Sequence, residues 1–264
     1  MPIAKLKDIS IYYEVYGKGV PLLLIGGLGS DSASWFAVVN DFSKYFQTIV
    51  FDNRGCGRSD SPNEAYSVSS MAEDTIKLLD FLKINKTHII GHSMGGYIAQ
   101  ELAIKYPERV DKLILASSAP ISSKRNNIFF KDIYNQIERE GRCEHLIRRW
   151  TFWLFTPKLF EDSKFMDMFI TNSMKYPYSQ KPEGFKNQVE AIISFDARDK
   201  IKNIKAKTLI LEGKYDILIT PEEAEILAQS IRGSTYQLLD GVAHCIQIEN
   251  PKLFTDTALR FLNS

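Results

Sequence analysis

The chain has no apolar run long enough to cross a bilayer and no marked excess of either charge. Its 264 residues carry 33 Lys and Arg against 32 Asp and Glu, a formal net charge of +1. A near-neutral chain has no basic field to attract nucleic acid, and a membrane helix needs about 20 apolar residues. The first residues show no basic-then-apolar signal pattern. We therefore expect no nucleic-acid partner and no membrane span.

Cysteine is scarce as well. The three cysteines, Cys56, Cys143 and Cys245, are odd in number, far apart, and lack the spacing of metal ligands. This pattern predicts free thiols, no metal site and a cytoplasmic protein, because exported chains of this kind more often carry disulfides. Only four histidines are present, so few side chains can act as a general base.

Short apolar runs alternate with helix-like segments. Such runs, without polar alternation, suit strands that are buried on both faces of a parallel sheet. The runs are residues 20–25, 48–51, 87–90, 113–116, 208–211 and 235–239. The helix-like segments are residues 69–82, 97–106, 221–231 and 253–262. We predict an α/β fold with a mostly parallel, doubly wound sheet, preceded by two short N-terminal strands.

The alternation stops between residues 121 and 200, where no buried-strand pattern occurs and nearly half of the aromatic residues lie. We predict a helical cap over the active site at 121–200, inserted into a core of residues 1–120 and 201–264. The aromatic side chains favour an apolar pocket, with Trp35, Trp150 and Trp153 as its predicted walls. Four cap arginines either bind a substrate carboxylate or form a solvated helix face: Arg139, Arg142, Arg148 and Arg149.

The most informative motif is GHSMGG at residues 91–96, between an apolar run and a helix-like segment. Gly91 and Gly95 stand two residues before and after Ser93, which is the G-x-S-x-G pattern of a nucleophile elbow. A sharp turn there exposes the hydroxyl group, and the glycines allow the backbone to pass close to neighbouring elements. We predict that Ser93 is a catalytic nucleophile. The alternative is a glycine turn in which the serine only caps a helix.

A serine nucleophile needs a base and an acid that orients the base. His244 is the one histidine in a loop that follows the last strand run; the others lie in a strand, beside the serine or in the cap. Asp216 follows a strand and a glycine turn, which completes the order Ser-Asp-His. Glu212 is nearer the strand, which favours a structural role. Asp240 is too close to His244 in sequence to reach round to the imidazole ring easily.

The predicted reaction also needs two N–H donors for a developing oxyanion. One is the amide of Met94, directly after the nucleophile. The other is the amide of Leu28, in the glycine-rich loop GGLG at residues 26–29. The alternative for this loop is an ordinary turn.

With these pieces in place, the chain resembles the α/β-hydrolase superfamily along nearly its whole length. The resemblance rests on DNRGCGRSD at 52–60, the helix and strand at 103–120, and AHCIQIENP at 243–251. Segments 26–35 and 148–162 resemble 3-oxoadipate enol-lactonases, and small carboxylesterases and pimeloyl-carrier methyl esterases share the core. A glycine stands at position 26 where many relatives have a histidine before the oxyanion glycine.

The resemblance implies a serine hydrolase that cleaves a carboxylic ester of a small or medium acyl substrate through an acyl-enzyme, without cofactor or metal. Ser93 argues against dehalogenases and epoxide hydrolases of this fold, which use a carboxylate. Three alternatives stay open: an enol-lactonase, a ligand sensor with little turnover, and cofactor-free peroxide chemistry. A homodimer is common among such relatives, although no residue here indicates one.

Overall fold

Eight strands form one sheet in the computed structural model, which describes residues 2–264. In chain order they are β1 (Ile3–Lys5), β2 (Ser10–Tyr16), β3 (Pro21–Ile25), β4 (Gln47–Phe51), β5 (Thr87–His92), β6 (Val110–Ala116), β7 (Lys207–Gly213) and β8 (Thr235–Leu239). The order across the sheet is β1-β2-β4-β3-β5-β6-β7-β8. The pairs β1–β2 and β2–β4 are antiparallel and all the others are parallel. The predicted fold class is confirmed.

Ten α-helices accompany the strands within the described residues. They are α1 (Val39–Phe42), α2 (Val68–Phe81), α3 (Met94–Lys105), α4 (Lys124–Glu140), α5 (Glu144–Leu154), α6 (Ser163–Lys175), α7 (Pro182–Ser194), α8 (Pro221–Ser230), α9 (Ile246–Glu249) and α10 (Pro251–Leu262). Capping explains several starts: Ser67 and Thr220 each accept a backbone N–H in a capping box. Proline in the first turn adds a preset φ in α7, α8 and α10.

The sheet is covered on both faces, so its central strands are apolar throughout. In β3, Leu23 and Ile25 join the core under α2 and α3, whereas Leu22 and Leu24 join the core under α1 and α10. All four side chains have no exposed surface. Burying a leucine or isoleucine contributes roughly 2 kcal/mol, so the sheet holds the edge that carries the site rigidly.

Helices α4 to α7 lie between β6 and β7, in the segment that the sequence predicts to be helical. The chain leaves and re-enters the sheet region at one place, because Ile121 pairs with Asp196 in an isolated antiparallel bridge. Beside it, the Ala197 N–H donates to the Pro120 carbonyl at 2.9 Å. A narrow base of this kind is what an inserted cap requires.

The structure differs from the sequence prediction in detail. Helix α3 begins at Met94 rather than at residue 97, because two glycines that are poor helix formers are held in the helix by close packing. Helices α1 and α9, of four residues each, were not predicted. Such short helices carry no periodic signal and form through tertiary packing.

Candidate active site

Ser93 lies on the tight turn between β5 and α3. Its backbone has φ 55° and ψ −120°, a strained conformation for a residue other than glycine. A Cβ atom at Gly91 would lie 2.4 Å from the Gly95 carbonyl oxygen, and one at Gly95 would lie 2.1 Å from the carbonyl oxygen of Ile25. Both glycines are therefore required by the close approach of backbone to backbone. The turn leaves Ser93 partly exposed between buried neighbours.

Asp216 and His244 form a buried pair at the same edge of the sheet. The distance from His244 Nδ1 to Asp216 Oδ2 is 2.7 Å, and each residue is 2 % exposed. The other carboxylate oxygen, Oδ1, accepts the N–H groups of Leu218 at 2.8 Å and Ile219 at 3.0 Å. These bonds hold the carboxylate in place, so it can orient the imidazole ring.

The His244 loop reaches the residues on either side of the serine turn. The His244 carbonyl oxygen lies 2.9 Å from His92 Nε2 and accepts the Ser117 hydroxyl at 2.9 Å. The rings of His92 and His244 are 5.0 Å apart between centroids. Ser93 follows His92 directly, and its N–H donates to the Ala116 carbonyl at 2.9 Å. His244 and Asp216 thus contact each other directly, and His92, the neighbour of Ser93 in the turn, contacts the His244 carbonyl.

The predicted oxyanion loop packs against the serine. A Cβ atom at Gly27 would be 3.1 Å from Cβ of Ser93, a tight contact, so glycine lets the backbone before Leu28 come this close without displacing the serine. Met94 is the first residue of α3, and an N–H in this position has no acceptor within its own helix. The two amides predicted as donors therefore belong to segments that flank Ser93.

Burial controls the protonation of two further groups at the site. Glu212 has no exposed surface, and burial together with the Asp216 charge raises the pKa of its carboxyl well above the usual value. This shift favours the protonated, neutral form of Glu212 beside Asp216. Burial and the neighbouring His244 lower the pKa of His92 to about 3, which keeps that ring neutral as well.

Glu249 links the histidine loop to the cap. One oxygen of its carboxylate accepts the Ala243 N–H at 2.8 Å, and the other accepts the Thr156 N–H at 2.9 Å. The Cys245 N–H also donates to the Leu154 carbonyl at 3.1 Å. Sequence reasoning noted a glutamate here only as part of a resemblance. The partners are separated by up to 93 residues in the chain, so no local pattern could reveal this role.

Gln188 of α7 provides a second link between cap and site. It is fully buried; its Oε1 accepts the Gly29 N–H at 3.3 Å, and its Nε2 donates to the Arg54 carbonyl at 2.9 Å. The amide thus ties the end of the oxyanion loop to the loop after β4. This residue was also missed, because a single glutamine on a helix has no distinctive spacing.

Two of the three predicted pocket tryptophans lie together in the cap. Phe129 stacks on Trp150 with ring centroids 5.3 Å apart and lies 4.3 Å from Trp153. Phe185 contacts the edge of Trp150 at 6.4 Å and reaches to 3.6 Å from a Cβ placed on Gly29. The aromatic group therefore extends to Gly29, at the end of the predicted oxyanion loop.

Trp35 does not join this group. It is 1 % exposed and lies in the core under α1 and α10, with its ring 6.3 Å from Phe254. It also meets the edge of the His92 ring at 6.4 Å. The structure thus places it behind the serine turn as a supporting core residue, and the predicted role as a pocket wall finds no support here. Trp35 is close in sequence to the predicted oxyanion loop, but this closeness does not show on which face of the sheet its side chain packs.

All four cap arginines are exposed to solvent. Arg148 pairs with Glu144 at 2.8 Å and its side chain is 48 % exposed. Arg139 bonds a carbonyl of its own helix, and Arg149 is exposed. Arg142 also bonds the Ser179 hydroxyl, and partial desolvation lowers the pKa of its guanidinium group.

Comparisons with known proteins identify the family of the chain. The family model described as alpha/beta hydrolase fold matches residues 20–251. RutD of Azorhizobium caulinodans, named as a carbamate hydrolase, is 27% identical over 99% of this chain and 98% of its own. The 3-oxoadipate enol-lactonase 2 of Acinetobacter baylyi is 28% identical over 94% of this chain and 91% of its own.

Solved structures give the same result. The enol-lactonase of Burkholderia xenovorans LB400 matches with a TM-score of 0.90 and 27% identity, covering 100% of both chains. A thermophilic esterase of Thermogutta terrifontis matches with a TM-score of 0.89 and 26% identity over 100% of this chain and 98% of its own. None of the helices in residues 2–264 is long and apolar enough to cross a membrane. The family match covers most of the chain, and this protein belongs to the alpha/beta hydrolase fold family.

Proposed function

We propose that this protein is a serine hydrolase that cleaves carboxylic esters of small or medium acyl substrates. The observation that carries the proposal is the buried His244–Asp216 pair at 2.7 Å beside a strained turn that presents Ser93. A strained backbone conformation costs about 1–3 kcal/mol and persists where function requires it. A serine that served only as a helix cap would need no such turn, and Ser93 makes no capping hydrogen bond.

The proposed reaction has two halves. His244 takes the proton of the Ser93 hydroxyl as its oxygen attacks the ester carbonyl, while Asp216 stabilises the imidazolium. The amides of Leu28 and Met94 hold the oxyanion, each contributing roughly 3 kcal/mol in comparable sites. His244 then protonates the leaving alcohol. Water repeats the sequence on the acyl-enzyme and releases the acid, so the reaction balances without a cofactor.

The second candidate is an enol-lactonase, favoured by the match to the Burkholderia xenovorans enol-lactonase over the full length of both chains. The same Ser93 chemistry opens a lactone, but the alcohol stays attached to the acyl product. A carbamate, the substrate class in the name of RutD, would also present a carbonyl to Ser93. All three substrates therefore use one site and differ in what fits beneath the cap.

The test measures hydrolysis of p-nitrophenyl esters from acetate to dodecanoate, then of an enol-lactone and a carbamate. Ser93→Ala should abolish turnover, whereas Ser194→Ala, at an exposed serine of the cap, should leave it unchanged. The preferred chain length gives the depth of the pocket. Turnover that persists in Ser93→Ala would refute the proposal. Tight ligand binding without turnover would instead indicate a sensor.

A further inference from the structure

Three side chains of different chemistry converge where α4 ends and α5 begins. Glu140 is the last residue of α4, Cys143 immediately precedes α5, and His145 lies in its first turn. His145 Nε2 is 3.1 Å from Glu140 Oε2 and 3.5 Å from Cys143 Sγ. All three atoms lie within 4.8 Å of one another. Gly141, at φ +70°, makes the turn that brings them together.

The side-chain amide of Gln136 also contacts this cluster. Gln136, one helical turn before Glu140, is 8 % exposed. Its amide nitrogen lies 2.9 Å from His145 Nε2 and 3.2 Å from Glu140 Oε2. One ring nitrogen can make a single direct hydrogen bond, yet three polar groups surround it. A cation between them would satisfy all four, and rotating the amide by 180° presents its oxygen as a ligand.

The spacing fits tetrahedral coordination. With metal–sulfur and metal–nitrogen bonds of about 2.3 Å and about 2.05 Å, sulfur and nitrogen ligands stand about 3.5 Å apart. Nitrogen and oxygen ligands stand about 3.3 Å apart on the same basis. The observed separations from His145 Nε2 are 3.5 Å to Cys143 and 3.1 Å to Glu140. Small side-chain rotations would therefore suffice to close the site.

We propose that Glu140, Cys143 and His145, with the Gln136 amide oxygen as fourth ligand, bind a divalent transition-metal ion of the Zn²⁺ type. A thiolate with imidazole and carboxylate ligands suits Zn²⁺ and Co²⁺ better than Mg²⁺ or Ca²⁺. The Cys143 thiol loses its proton to solvent on binding. Cysteine spacing alone predicts no metal site, because three of the four ligands are not cysteines and the four lie on both sides of a turn.

Such a site would act on the cap and not on the chemistry at Ser93. The ion would tie the end of α4 to the start of α5, and these helices carry the aromatic group of Phe129, Trp150 and Trp153. A ligand that binds only the folded state stabilises it by mass action. Binding of the ion would therefore fix the angle between α4 and α5, the two helices that carry this aromatic group.

The test uses Co²⁺ as a spectroscopic probe and Zn²⁺ as competitor, with the intact protein. The wild type should bind one Co²⁺ with a near-ultraviolet thiolate-to-cobalt charge-transfer band, which Zn²⁺ removes. Cys143→Ser should lose the band, and His145→Ala should weaken binding by roughly tenfold or more. Glu144→Gln, an adjacent carboxylate outside the cluster, is the control and should behave as wild type.

The two other thiols should not contribute to the cobalt charge-transfer band. Cys56 and Cys245 are buried, and burial raises the pKa of both thiol groups. Wild type without the band at equimolar Co²⁺ would overturn the proposal, as would an equal band in Cys143→Ser. Zn²⁺ should also raise the melting temperature of the wild type and leave that of Cys143→Ser unchanged. None of these readouts depends on turnover, so the site is tested independently of the proposed hydrolase activity.

Discussion

At the scale of single residues, the charge of the candidate site depends on Glu212 as well as on Asp216. A buried carboxyl group beside another carboxyl group resists ionisation. Asp216 accepts two backbone N–H groups and faces His244. Glu212 keeps a proton, because burial and the Asp216 charge raise the pKa of its carboxyl. Its Oε1 accepts the N–H of Gly213 at 2.9 Å.

We therefore expect Glu212→Gln to retain activity. The amide is neutral, like the protonated acid, and can keep both the Gly213 contact and a donor toward Asp216. The change in kcat/KM on the best ester should stay within about threefold, because one equivalent hydrogen bond replaces another. Glu212→Leu, which has no donor, should lose far more. A loss of a hundredfold or more in the Gln variant would show that Glu212 acts as an anion.

The glycines of the turn give a second prediction at this scale. Gly95→Ala would place a methyl group 2.1 Å from a backbone oxygen that cannot move aside. We expect a loss of about 3 kcal/mol or more in the free energy of unfolding, measured by urea denaturation. Gly26→Ala is the control, because its nearest neighbours are 3.4 Å away. Equal losses in the two variants would contradict the packing explanation.

Sequence reasoning at this scale depends on local order, and the structure brings the predicted Asp216 and His244 into contact. Ser93 stands in a recognisable glycine pattern between strand and helix, and Asp216 and His244 each follow a strand. Glu249 and Gln188 could not be predicted, because their hydrogen bonds join residues brought together only by the fold. Trp35 illustrates the same limit: proximity in sequence did not reveal on which face of the sheet it packs.

At the scale of elements, the cap and the histidine loop are joined by the Glu249 carboxylate and by the bond from the Cys245 N–H to the Leu154 carbonyl. Periodicity predicts most helices and strands of the core to within a few residues, because each is buried on a regular face. It predicts a helical cap in general terms, but not which cap residues meet the core. That contact depends on how α4 to α7 pack against one another.

The carboxylate of Glu249 provides a test of this connection. Glu249→Gln replaces one oxygen by an NH₂ group, so either Ala243 or Thr156 loses its acceptor. We expect a loss of about 1–3 kcal/mol in stability and faster hydrogen exchange at the two amides, because a buried donor is left unpaired. Asp256→Asn, on the exposed side of α10, serves as control. Unchanged exchange at both amides would mean that the link does not hold the cap.

At the scale of the whole molecule, the stability of the fold should depend on pH through a buried histidine. His92 is 5 % exposed and its pKa in the folded protein is about 3, against an ordinary value of 6.5. Below pH 6.5 the unfolded chain takes up a proton at this position that the folded protein does not bind. The stabilisation is therefore complete above pH 6.5 and is lost as the pH falls toward 3.

Glu212 has the opposite effect on the pH dependence of stability, because its pKa is raised in the folded protein. The pH dependence of the wild type alone therefore combines the contributions of His92 and Glu212. Comparison with His92→Asn isolates the histidine. From pH 6 to pH 4, the difference in the free energy of unfolding between wild type and variant should shrink by about 1.4 kcal/mol per pH unit. Urea denaturation at each pH measures it. If the free energies of unfolding of the two proteins change equally with pH, the His92 ring takes up a proton within the folded structure. That result would refute the assignment of His92 as a neutral, buried histidine.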